Sequence, residues 1–213
     1  YHESGHAILA KLLPHCDEVH EVTIIPRGNA GGYTLTRPET DNQYMSKNKL
    51  LDDIVMTMGG RAAEELIIKD FTSGASSDIK HASKIARAMV TELGMSDKVG
   101  PVNYGSDDQI FVGRDYQTRT SYSEALAKLI DEEVESIIKN AHEKAQKMLS
   151  ENKEILDKMA RLLIERETIY SEEVNMLMEG KSVEEIMDFM DKNAETQRLD
   201  PFHVNTDAQT KSE

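Results

Sequence analysis

Tryptophan is absent from this chain, aromatic residues make up only 5% of it, and Cys16 is the single cysteine among 213 residues. One cysteine excludes a disulfide framework and any cysteine-built zinc cluster, so a bound metal has to rest on histidine and carboxylate, and a reducing compartment is expected. Positive charge is also scarce: 25 Lys and Arg face 39 Asp and Glu, a formal charge of −14. Nucleic-acid binders need a basic footprint to displace counterions from phosphates, which excludes nucleic acid as the main partner; an anionic membrane surface is opposed for the same reason. No apolar run approaches the roughly 18 residues of a membrane span, and no signal peptide precedes residue 1, so the chain as given reads as soluble. It begins at Tyr1 rather than at methionine, immediately before a motif that belongs inside a helix, and the natural polypeptide is expected to continue upstream.

Leu, Ile, Met, Ala, Glu and Lys dominate what is present, the profile of a mainly α protein with few strands, and the length suits one core. Residues 1–13 predict a helix that Pro14 ends. The β-branched run Val22-Thr23-Ile24-Ile25 and the segment Tyr33-Thr34-Leu35-Thr36, separated by glycines, predict a small hairpin or sheet, with Pro26 at an edge or a strand end. Ser46 caps a predicted helix whose apolar stripe runs Leu51, Ile54, Val55, Met58, Ala62 and Leu66. Gly59-Gly60 in its middle implies close packing against another backbone, the first helix being the candidate. A third helix starts at Ser76 or Ser77 and stops at Gly94. A short strand is expected around Pro101 to Tyr104, inside an extended excursion over 100–113. Two amphipathic stretches, 121–149 and 153–165, predict a C-terminal helical hairpin, and Ser171 and Ser182 mark two further helix starts. The folded domain is expected over 1–193, with a disordered tail over 194–213.

The chemistry concentrates in His2-Glu3-Ser4-Gly5-His6. On a helix, positions four apart lie on one face, so both imidazoles can meet one metal ion, and Glu3 reaches the edge of that face, placed to take a proton from a metal-activated water. This H-E-x-x-H pattern arises by chance in roughly one sequence in forty of this composition, so its context has to carry it. The apolar run Ala7 to Leu13 supplies that context, because a rigid metal site needs a buried helix. A catalytic zinc usually takes three protein ligands. The third must come from elsewhere, since the next histidines, His15 and His20, lie beyond Pro14. Asp78 shares a stripe with Ala82, Ile85 and Met89, which puts a charge on a face the helix buries; complementing the dipole at the helix N-terminus explains it equally well. Glu64 and Glu65 compete for the ligand role, and Glu65 is also a candidate for orienting His2 or His6 from behind.

Four blocks taken in order, His2-Glu3-Ser4-Gly5-His6-Ala7, Val22-Thr23-Ile24-Ile25-Pro26-Arg27-Gly28, Gly59-Gly60-Arg61-Ala62-Ala63-Glu64-Glu65 and Thr72-Ser73-Gly74-Ala75-Ser76-Ser77-Asp78-Ile79, resemble the FtsH-type peptidase domain over roughly residues 1–180. The resemblance implies a helical zinc metallopeptidase with His2, His6 and Asp78 as ligands of Zn2+ and Glu3 as catalytic base. It further implies an endopeptidase for unfolded or damaged polypeptides, an upstream AAA-type ATPase module, a six-membered homo-oligomer, and a membrane-anchored parent with this domain on the cytoplasmic side or its organellar equivalent. Ser4 stands where that family commonly has alanine. An extended substrate is expected to pair with the Val22–Ile25 segment if that strand is a free edge. The alternative reading from another class is a helical oligomerisation module in which peptidase activity is secondary or lost.

Overall fold

The computed structural model describes residues 1–28, 31–38, 44–70, 72–105 and 122–199, with side chains described as far as 194. Its plan is mainly α, with one three-stranded antiparallel sheet. Helix α1 (His2–Leu12) is the hub, and packs on α2 (Lys47–Thr57), α3 (Gly59–Ile68), α5 (Glu124–Glu151), α6 (Lys153–Arg166) and α7 (Ser171–Met178), and on strands β1 (Glu18–Thr23) and β2 (Tyr33–Arg37). Ala7, Ile8 and Leu9 are fully buried. Ile8 and Leu9 alone contribute about 1.5–3 kcal/mol each by burial, which fixes the helix, and with it the histidines, against the core.

The stripe read as one helix is two. The chain breaks at Met58 (φ −78°, ψ −4°), the C-cap of α2 and N-cap of α3. Two consecutive glycines weaken the helix there, and the new direction lets α3 cross α1 at Gly5 and Gly59. A Cβ on Gly5 would overlap the Gly59 carbonyl oxygen and lie 2.9 Å from Ala63 Cβ, so the expected close backbone contact with the first helix is present. Helix α4 (Ser76–Thr91) ends where the sequence places its stop. Gly94 takes φ +61° and the Met95 amide reaches the Met89 carbonyl.

Strand β1 is central, with β2 on one side and β3 (Thr168–Tyr170) on the other. This corrects the expectation that the Val22–Ile25 segment offers a free edge: Val22 pairs with both Thr34 and Ile169. Among the described residues the free edge on the hairpin side belongs to β2. The third strand follows from Glu167, whose left-handed φ of 61° caps α6 and turns the chain to run alongside β1; its carbonyl accepts from the Ile24 amide. Pro101 to Tyr104 form no strand, and residues 106–113 of the expected excursion lie outside the described residues.

A single residue, Asn152, separates α5 from α6; α5 packs mainly on α2, α3 and α4, and α6 on α1, α7 and α8. Ser182 and Glu185 make a reciprocal capping box that starts α8 (Val183–Leu199). The boundary expected at 193 falls inside α8, and 200–213 lie outside the described residues. Among the described residues Cys16 joins no cluster of metal-ligating side chains. Burial, together with the nearby Asp53 carboxylate, pushes its thiol up to about 12, so it stays protonated and unreactive.

Candidate metal centre

The site is assembled from three helices. Helix α1 presents His2 and His6 one turn apart, α3 runs beneath them, and a short 3-10 turn (Ser73–Ala75) leads into the first turn of α4, which carries Asp78. The two imidazole Nε2 atoms are 3.2 Å apart, and Asp78 Oδ2 lies 3.1 Å from that of His2 and 3.5 Å from that of His6. Donor atoms arranged tetrahedrally around zinc at its usual bond lengths are about 3.3 Å from one another, so the triangle has the size of such a ligand set.

The hydrogen bonds behind the rings decide what the triangle needs at its centre. His6 Nδ1 donates to the Met56 carbonyl at 2.9 Å, and His2 Nδ1 donates to Glu64 Oε1 at 2.9 Å. With both Nδ1 protons committed, each neutral imidazole offers a bare Nε2 lone pair to the centre. Asp78 Oδ2 adds a third acceptor, buried and without a hydrogen-bonding partner of acceptable geometry. Three facing acceptors repel unless a cation sits among them, and imidazole with carboxylate is a donor set suited to zinc. Protons compete for the same place. Burial disfavours the charged imidazole of His2, but Asp78 and Glu64 outweigh it and raise its pKa; burial likewise disfavours ionised Asp78, yet His2 and His6 hold its carboxyl well below the usual range.

Gly60 forms the floor. A Cβ there would lie 2.5 Å from His2 Nε2 and 2.6 Å from His6 Nε2, so no residue larger than glycine leaves both rings in place. Glu3, next to His2 on α1, faces the sheet, where its Oε2 is 3.0 Å from the Thr34 hydroxyl.

The model of peptidase family M41 matches residues 1–177 of the chain. The chain belongs to peptidase family M41. Among its relatives, the ATP-dependent zinc metalloprotease FtsH 1 of Thermoanaerobacter sp. (strain X514) is 48% identical over 185 residues, which is 86% of this chain and 30% of the relative. FtsH 4 of Sorangium cellulosum (strain So ce56), named likewise, is 48% identical over 186 residues, 86% of this chain and 29% of the relative. FtsH 2 of Alkaliphilus metalliredigens (strain QYMF) is 45% identical over 184 residues, 86% and 27%. The chain thus spans less than a third of the length of these relatives. The M41 match ends within α7 and leaves α8 outside it.

Within this M41 chain the structure brings together His2, His6 and Asp78, keeps Glu3 beside them on α1 with its carboxyl against Thr34, and separates Glu65. Glu65 turns away from the histidines. It accepts from Arg61 Nε at 2.9 Å, His142 Nε2 at 2.9 Å and Gln146 Nε2 at 2.6 Å, joining α3 to α5. The carboxylate behind His2 is Glu64, itself held by the Thr72 amide at 3.0 Å. Adjacent helical residues point about 100° apart, so the two glutamates have unrelated surroundings. The signal for Glu64 lay in its spacing, because it stands four residues after Gly60 and shares the face that meets the imidazoles. Met56, Thr72 and Thr34 carried no comparable signal.

Proposed function

We propose that this chain is the catalytic unit of a zinc-dependent endopeptidase, with His2, His6 and Asp78 holding the ion and Glu3 acting as general base. One observation carries the reading: the bare Nε2 atoms of His2 and His6 and the unpartnered Oδ2 of Asp78 converge within 3.1–3.5 Å of one another. Zinc held there supplies Lewis acidity, making a water acidic near neutral pH and polarising the scissile carbonyl. Glu3 accepts the proton of the attacking water on its carboxylate and passes it to the leaving amine, so hydrolysis is direct and no acyl-enzyme forms. Glu64 and the Met56 carbonyl keep both histidines in the Nδ1–H tautomer that ligation requires.

The substrate is an unfolded or damaged polypeptide in extended form. The edge of β2 that is free among the described residues begins beside Glu3 and suits pairing through main-chain hydrogen bonds, which give affinity with little sequence preference. The relatives' names and the family resemblance extend the proposal to the longer protein: an AAA-type ATPase module upstream that delivers unfolded chains, a homo-oligomer of six, and a membrane anchor with this domain on the cytoplasmic side or its organellar equivalent. Among the described residues no helix is long and apolar enough to cross a membrane.

Metal removal tests the reading. Dialysis against a strong chelator should reduce cleavage of an unfolded polypeptide to background, and titrating zinc back should restore it at about one ion per chain. Cleavage that persists in the metal-free protein would overturn the assignment, and a metal-free, inactive oligomer would favour the assembly-module alternative.

A further inference from the structure

Glu3 sits in the first turn of α1, where a glutamate side chain ordinarily has three freely populated torsions. Here its carboxyl is enclosed by the start of β2. Thr34 Oγ1 lies 3.0 Å from Glu3 Oε2 and 3.1 Å from the Glu3 backbone carbonyl oxygen. Gly32 closes the other side: a Cβ there would stand 3.1 Å from Glu3 Oε1 and Cγ and 2.5 Å from the Thr23 carbonyl oxygen, so glycine is what allows β1, the β2 lead-in and Glu3 to meet. The position of Thr34 is set by the sheet, where it pairs with fully buried Val22.

We propose that Thr34 is the positioning residue of the general base, holding the Glu3 carboxylate in the orientation from which it takes a proton. The inference rests on the role proposed for Glu3. A threonine hydroxyl has one hydrogen to donate and lone pairs to accept with, so it can serve Glu3 in either state. While Glu3 is a carboxylate, Thr34 donates to Oε2. If the proton taken from water comes to rest on Oε2, the Thr34 hydrogen turns to the Glu3 carbonyl and the hydroxyl accepts from the new acid. Water loses one proton, Glu3 carries it to the leaving amine, and Thr34 keeps its own throughout. Loss of the hydroxyl leaves the carboxyl able to rotate out of reach, which slows the chemical step and leaves metal and substrate binding untouched.

The test compares Thr34→Val, Thr34→Ser and Glu3→Gln in the zinc-loaded protein, measuring kcat and KM on an unstructured peptide, zinc content and the thermal midpoint. Thr34→Val is expected to lower kcat on the order of 10- to 100-fold, the scale of one hydrogen bond to a charged group, with KM within about twofold and zinc content unchanged. Thr34→Ser should recover most of the loss, and adding Thr34→Val to Glu3→Gln should cost nothing further. A valine variant with undiminished kcat, a loss confined to KM, a parallel loss of zinc, or a serine variant as poor as valine would each overturn the proposal. Thr34→Ala provides the same comparison if valine unsettles β2. Glu3→Gln that still cleaves would instead remove the base assignment, whereas inactive Glu3→Gln beside fully active Thr34→Val would remove only the role of Thr34.

Discussion

Glu3→Gln is expected to keep its zinc and lose its peptidase activity. Glutamine matches glutamate in shape and retains a side-chain oxygen for the Thr34 hydroxyl, so the cradle at the head of β2 survives. The triangle of donor atoms from His2, His6 and Asp78 does not include Glu3, so the proposed metal set is unaltered. What disappears is a group able to accept a proton. General-base catalysis contributes typically about 10²–10⁴-fold, and kcat should fall by at least that factor while KM stays near its original value. Single-turnover cleavage together with metal analysis of the same preparation checks both halves. Retained cleavage would mean that another group takes the proton, and lost zinc would mean that Glu3 belongs to the ligand set.

Gly60→Ala should do the opposite, preserving the base and destroying the site. Backbone preference does not resist the change, because alanine is favoured over glycine within helices by about 1 kcal/mol. The obstacle is the new methyl, which would stand 2.5 Å from His2 Nε2 and 2.6 Å from His6 Nε2, so both rings must swing away. Doing so breaks their hydrogen bonds to Glu64 and Met56 and pulls the Nε2 atoms off the Asp78 carboxylate. Disturbing even one outer partner of a metal-bound histidine typically costs about 10–100-fold in affinity; displacing two ligands should exceed the upper figure. Competitive titration against a chromophoric chelator would show a zinc affinity lower by more than about 100-fold, and the thermal midpoint of the metal-free protein should fall by a few degrees, because alanine's helix preference of about 1 kcal/mol only partly offsets the two broken hydrogen bonds. Gly5→Ala is the useful contrast, since its methyl meets the α3 backbone and drives the helices apart, so its main effect falls on stability. A Gly60→Ala protein that binds zinc as tightly as wild type would show that the rings do not sit where the geometry puts them.

The two substitutions also mark what can be read from residues in order and what cannot. The H-E-x-x-H spacing and the apolar run behind it are local patterns, legible because helical periodicity maps sequence distance directly onto a face, whereas periodicity left Asp78 divided between a ligand and a helix-dipole partner, and the ordered family blocks favoured the ligand. The glycine pair was informative for the same reason: Gly59 and Gly60 cost a helix stability unless something presses against them, and α1 does. Harder to see was the direction α3 takes after the break at Met58. That rotation decides that Glu64 rather than Glu65 stands behind His2, and a stripe pattern drawn through an unbroken helix misplaces it. The central position of β1 was equally hidden. Its second neighbour, Thr168–Tyr170, is three residues long, too short to show alternation, and arrives only because Glu167 adopts a left-handed conformation after α6. Thr34 reaches Glu3 across the same sheet, a contact between residues 31 apart that no local pattern encodes.

The ligand set is the claim on which the rest depends, and zinc stoichiometry in the Asp78→Asn protein tests it most directly. Measured by elemental mass spectrometry after passage over a weak competing chelator, wild type and Glu65→Gln should each retain about one zinc per chain, while Asp78→Asn should retain well under one, because a neutral amide replaces the anionic third donor. A full complement of zinc in Asp78→Asn, or its loss in Glu65→Gln, would contradict the account and move the third ligand away from the first turn of α4.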